Sequence, residues 1–156
     1  MDYKMKKESF LEALKKMNLL HTFKTLKDTD NELILQSLQP LEKDSVCVVT
    51  VRLDESFFNT IHFVLCELKG KDDESHEHLK NILLNLLNDL NKYSCFFNYY
   101  LDSHTDKEAI VARTTYLTTN DNFVGEELAG MLLPAFNTLC KDFTKIMNTL
   151  NYNKIS

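Results

Sequence analysis

The sequence predicts an α+β fold, an antiparallel sheet of about five to six strands with helices packed on it, in the order α-β-β-β(-β)-α-β-β-α. Three observations carry this. Apolar stripes at helical spacing occur near each end and once in the middle of the chain, β-rich runs fill the two intervals, and the breaks between those runs are short and polar. With 156 residues, 44% of them hydrophobic, the chain can build one core and is short for two. A single domain over 1–156 is expected, with about 1–5 and 152–156 frayed.

From Lys6 to Asn18, the apolar positions Phe10, Leu11, Leu14 and Met17 face away from Lys and Glu, which predicts a first amphipathic helix. Four extended segments follow: Leu20 to Leu26, Glu32 to Leu38, Val46 to Leu53 and Thr60 to Leu68, separated by KDTDN, QPLEKDS and DESFFN. Connections this short predict a meander with antiparallel neighbours. LHTFKTL is short and polar, the mark of an edge strand or of no strand. VCVVTVRL and IHFVLCEL carry apolar groups on both faces, so they are central or covered on both sides. If helices cover one face, the other needs a second subunit or a bound segment.

A turn at Lys69 to Asp73 leads into ESHEHLKNILLNLLNDLNKY, where Leu79, Ile82, Leu83, Leu86, Leu87 and Leu90 hold helical spacing through three turns. Asn85 and Asn88 lie mainly off that stripe. Asn91 is placed to stop the helix, because asparagine tolerates the left-handed turn. Cys95 to Leu101 and Ala109 to Leu117 read as a second hairpin around DSHTDKE. Asn120 or Asp121 can cap a closing helix whose stripe runs Leu128, Met131, Leu132, Ala135, Phe136, Leu139, Phe143, Ile146, Met147 and Leu150. Pro134 within it predicts a kink, or a helix that begins near Met131.

A formal charge of −5 leaves no basic footprint for nucleic acid. No apolar run approaches the ~18 residues of a membrane span, and MDYKMKKESFLEALKKMNLL reads as an amphipathic helix and not as a leader. A cytoplasmic location with no membrane partner is expected. Cys47, Cys66, Cys95 and Cys140 lie far apart, as buried reduced thiols do.

The densest cluster of possible metal ligands is DDESHEH, Asp72 to His78. His76 and His78 are two apart and point to different sides of a helix, so the cluster reads as an acidic helix start and no metal is expected. Neither a GxSxG pattern nor a phosphate loop is present, since the glycines are Gly70, Gly125 and Gly130 alone. No catalytic residues and no cofactor are therefore expected; an enzyme would need His62, His76, His78 and His104 to converge with the acids. Phe96, Phe97, Tyr99 and Tyr100 lack the interleaved cations of a base-stacking sheet and read as packing residues. His62 reads as a hydrogen-bonded sheet histidine that titrates near neutral pH if exposed. Arg113 reads as a solvent-facing sheet residue, or as the holder of a partner's carboxylate. The residues expected to meet a partner are Val48, Val51, His62, Val64, Arg113 and Tyr116.

Over residues 79–150, LNDLNKYSCFFNYYLD running into EAIVARTTYLTT and a closing helix resembles the bacterial YbjN family, whose fold is similar to that of type III secretion chaperones. The likeness rests on Leu87, Asn88, Leu90 and Asn91 at the helix end and on Ile110, Val111 and Arg113 in the later strand. DSHTDKE departs from it, being longer than the family's tight Asp-Gly turn. The resemblance implies a non-enzymatic homodimer that binds a protein, chaperone-like or regulatory, with no catalytic residues to carry over. The alternative is an acidic immunity or inhibitor protein, toxin-neutralising or for phage or host defence, meeting a basic target through Asp72 to Glu77 or Asp102 to Glu108.

Overall fold

A computed structural model describes residues 2–41, 45–68, 74–103 and 108–152. Helix α1 (Tyr3–Lys16) starts where Asp2 accepts a hydrogen bond from the Met5 amide at 2.9 Å. The cap holds the first turn, and Tyr3 is buried. At the other end Asn18 adopts a left-handed φ of 55°. The Leu19 amide donates to the Leu14 carbonyl at 2.8 Å and the Asn18 amide to Lys15 at 3.0 Å, a Schellman closure. The chain leaves it through a 3₁₀ turn at Leu20–Thr22, so the first strand, β1 (Lys24–Asp28), starts later than predicted and is an exposed edge.

Strands β2 (Glu32–Pro40), β3 (Val46–Asp54) and β4 (Phe58–Leu68) continue the meander. Helix α2 (Glu74–Tyr93) leads to the hairpin of β5 (Asn98–Asp102) and β6 (Glu108–Leu117). All six strands form one antiparallel sheet in the order β1-β2-β3-β4-β6-β5, so the α+β class is as predicted. A 3₁₀ turn at Asn120–Asn122 precedes α3 (Gly125–Gly130) and α4 (Leu132–Tyr152). Asp121 thus caps no long helix, because the closing stripe is divided at Met131. Pro134 falls in the first turn of α4, where a missing amide costs no intrahelical bond.

One core joins α1 (Phe10, Leu14), α2 (Leu83, Leu87), α3 (Leu128) and α4 (Leu139, Phe143, Ile146) to alternate residues of the sheet, Leu35, Val51, Ile61, Phe63 and Ala112 among them. Lys6, only 1% exposed, crosses this layer: its ammonium donates to the Asp54 and Ser56 carbonyls, each at 2.8 Å, and lies 5.4 Å from the Phe123 ring centre. Burial lowers its pKa, against a raising influence of Asp54. Gly125 lets α3 meet α1, since a Cβ there would lie 2.3 Å from the Ser9 carbonyl oxygen. Its amide donates to Ser9 Oγ at 3.1 Å.

Both sheet edges are blocked. On β1 the guards are Lys24, Lys27 and a register shift between Thr25 and Lys27. On β5 the guard is Asn91, which does not stop α2 as expected but lies within it. The Asn91 amide donates to the Tyr99 carbonyl at 2.9 Å and accepts from the Tyr99 N–H at 2.7 Å, the two-point pairing a further strand would make. Tyr99 OH donates to Asp142 on α4 at 2.7 Å, which ties three elements together.

Two substitutions at glycine should separate by sign. Gly125→Ala should lose about 1–3 kcal/mol, because backbone stands on both sides of the contact. Gly130→Ala meets nothing nearer than Met17 Cε at 4.0 Å and has no positive φ, so it should be neutral or gain about 0.4–1 kcal/mol. Urea midpoints that fall equally for both would refute the close helix crossing. Asn91→Asp should cost about 1–3 kcal/mol at neutral pH, where a carboxylate faces the Tyr99 carbonyl. That repulsion raises the folded pKa of the new acid, so its stabilising protonated form persists below the ordinary value of about 3.9 and is lost as pH rises through the folded value. Denaturation at pH 4 and pH 7 checks this, and a pH-independent loss would show that the amide donor is not used.

Candidate functional site

Period-two alternation sends the other half of the strand side chains to the face without helices. Leu38, Val48, Val64, Val111 and Tyr100 lie side by side across β2, β3, β4, β6 and β5. Beside them runs a polar row, Gln36, Thr50, His62, Arg113 and Asn98, and beyond it Ile34, Arg52, Thr60 and Thr115. Leu38 is 65% exposed, and Phe58 and Leu117 at one end of the face are 59% and 65% exposed. Val111 is only 2% exposed, yet it stands outside the helix-side core. Its cover is the open face itself, where Val64 and Tyr100 flank it.

Of the residues expected to meet a partner, Val48, His62, Val64 and Arg113 share this face. Val51 and Tyr116 do not. Each lies three positions from Val48 or Arg113, and an odd separation along a strand puts side chains on opposite faces. Val51 is in the core, while Tyr116 packs on Phe123 at 5.7 Å and donates to Glu127. Leu38, Val111 and Tyr100 were missed, although Val111 has the parity of Arg113.

The centre of the face is a three-residue group. Tyr100 OH lies 3.3 Å from His62 Nδ1, Arg113 pairs opposite His62, and the Arg113 guanidinium lies 5.9 Å from the Tyr100 ring centre. Burial holds the His62 pKa below its ordinary value, with Arg113 and Arg52 adding and Asp102 opposing. Burial raises the Tyr100 pKa against the lowering influence of Arg113. Arg52 is committed to Glu32 at 2.7 Å and Asp54 at 3.5 Å, and Lys27 also pairs with Glu32. Among the described residues no carboxylate pairs with Arg113.

A second concavity of about 540 Å³ lies between α2 and α4, with Leu86, Leu90 and Phe96 in its walls. Its acids are engaged, Asp142 by Tyr99 and Lys145 and Asp89 by Lys92. Its surface is mainly apolar.

No group of His, Cys, Asp and Glu among the described residues has a metal-holding arrangement. His62 lies on the sheet and His78 on the exposed side of α2; His104 and the His76 side chain fall outside the described residues. So do Asp72, Asp73 and Asp106 of the two acidic stretches, while Glu108 is paired with Lys80. None of the four cysteines is in a disulfide. Cys47 is buried and its thiol is pushed up to about 12 by burial and by Cys140. Cys95 is exposed, contrary to expectation, because β5 begins only at Asn98. No helix among the described residues is long and apolar enough to cross a membrane.

Removing the Arg113 charge should move the His62 titration upward, because one of the influences holding it down disappears. Histidine ring shifts in wild type and Arg113→Gln, followed by NMR from pH 8 to pH 4, check this; an unchanged His62 midpoint would refute the coupling. Between the depressed folded value and the ordinary value of about 6.5 the unfolded chain binds more protons at this group, so His62 makes stability fall as pH falls through that window.

No family model matches the chain, and neither a curated protein nor a solved structure gives a match.

Proposed function

We propose that this chain is a non-enzymatic protein-interaction module of the cytoplasm, a homodimer that holds a segment of a partner protein on the uncovered face of its sheet, in the manner of a chaperone or a regulator. One observation carries the reading: an apolar row across five strands has the described helices behind it and none of them in front. Apolar surface gathered in this way marks an interface more often than a solvent face. Both edges are guarded, by Lys24 and Lys27 at one side and Asn91 at the other, so strand addition is disfavoured and the face is the route left. The resemblance of the second half to YbjN proteins, read from the sequence, points to the same class.

A photo-cross-linking amino acid at Val48, on the open face, should capture another polypeptide in native cells. The same group at Asn137, exposed on α4, should not. Val64→Asp should abolish the Val48 adduct while circular dichroism stays unchanged. Equal adducts from both positions, or none from position 48, would overturn the docking face. Sedimentation equilibrium at about tens of micromolar should give a dimer, since association follows protomer concentration. A monomer there removes the homodimer.

A further inference from the structure

The open face has a shape as well as a polarity. The row from Leu38 to Tyr100 and the row from Gln36 to Asn98 each cross five strands in register. Four inter-strand steps of about 4.8 Å make each row about 19 Å long, and two residues along a strand set the rows about 6.6 Å apart. A helix of about thirteen residues spans that length, and its width of about 10 Å covers both rows. An extended segment turns alternate side chains away from the sheet, so it engages one row and leaves the other bare. An amphipathic helix presents an apolar stripe and the polar positions flanking it to the same surface.

Charge narrows the ligand further. Arg113 stands in the polar row beside an apolar one, with no carboxylate paired to it among the described residues, while Asp102 and Glu67 lie across the apolar row and disfavour acids on that flank, so a ligand's carboxylate is directed to the Arg113 side. Arg52, the other arginine of the face, is held between Glu32 and Asp54. The Tyr100 ring beside Arg113 and the His62 side chain opposite it limit where the guanidinium can go, which lowers the ordering cost of binding. Guanidinium matches a carboxylate by two parallel hydrogen bonds.

We propose that the open face binds an acidic amphipathic helix of a partner protein, its apolar stripe on the Leu38–Val48–Val64–Val111–Tyr100 row and a Glu or Asp carboxylate on Arg113. This rests on the docking reading above and names the ligand's chemistry. Leu38, Val48 and Val64 supply the newly covered apolar surface, since Val111 is already shielded. Arg113 sets the register.

The test uses a fluorescein-labelled synthetic helix of about fourteen residues, with leucines at i, i+3, i+4 and i+7 and glutamates beside them. Matched peptides carry glutamine or lysine in place of glutamate. Fluorescence anisotropy with the intact chain should show the glutamate peptide binding about tenfold or more tighter than the glutamine one, and the lysine peptide weakest. Arg113→Gln should erase the difference, and Arg113→Lys should restore part of it, because an ammonium makes a point contact. High salt should narrow the gap. If the glutamine peptide binds as tightly and Val64→Asp abolishes both, the carboxylate anchor is wrong and the docking face stands. If no peptide binds the intact chain, both readings fall. Unchanged circular dichroism of each variant excludes misfolding as the cause of a loss.

Discussion

The molecule is organised by one-sided packing: a six-stranded sheet whose central strands carry apolar residues on both faces has the described helices on one of them. Alternation along a strand is strict, so every residue is committed to the helix layer or to the open layer by parity. A register shift breaks this parity between Thr25 and Lys27 in β1, and another between Val64 and Cys66 in β4. The latter turns Cys66 toward the core side beside Leu65 and sends Glu67 outward. The make-up of the open face follows from this commitment, including the exclusion of Val51 and Tyr116 from it.

Beside the shared apolar core, several polar and steric contacts keep the helix layer in place. Lys6 satisfies two carbonyls at the β3–β4 turn, the Gly125 backbone seats against Ser9, and Asn91 closes the free side of β5. A buried ammonium is costly unless its donors are used. Here two backbone carbonyls and the face of Phe123 receive it, which ties α1 to the sheet at a defined height. These ties make the uncovered face a consequence of the covered one: the helices cannot wrap around to the other side without breaking them.

Much of the architecture was legible along the chain. The helix of residues 74–93 carries its stripe through three turns with few competing residues, and the four long strands are bounded by polar breaks. The failures have identifiable causes. Leu20 to Thr22 look β-like by composition, but the Schellman closure at Asn18 turns them into a 3₁₀ step. The role of Asn91 differs from expectation because asparagine serves equally as a helix stop and as an amide donor and acceptor, and which role it plays depends on whether a backbone edge is within reach. Val48 and Val51 were grouped because each is apolar in one strand, although their separation of three already assigns them to different faces.

What the sequence by itself determined was most of the elements, their rough order, the antiparallel meander and the presence of more apolar strand surface than one layer needs, because helical and strand periods are local properties of side-chain spacing. Only the tertiary structure decided that β6 lies between β4 and β5, that the four helices share one face, and that Arg113 stands without a carboxylate beside the valine row. Those outcomes depend on which distant residues meet, a property that periodicity along a single chain does not encode. The Tyr99 backbone meets Asn91 because α2 packs beside β5, and Arg113 meets His62 because two strands more than forty residues apart are neighbours.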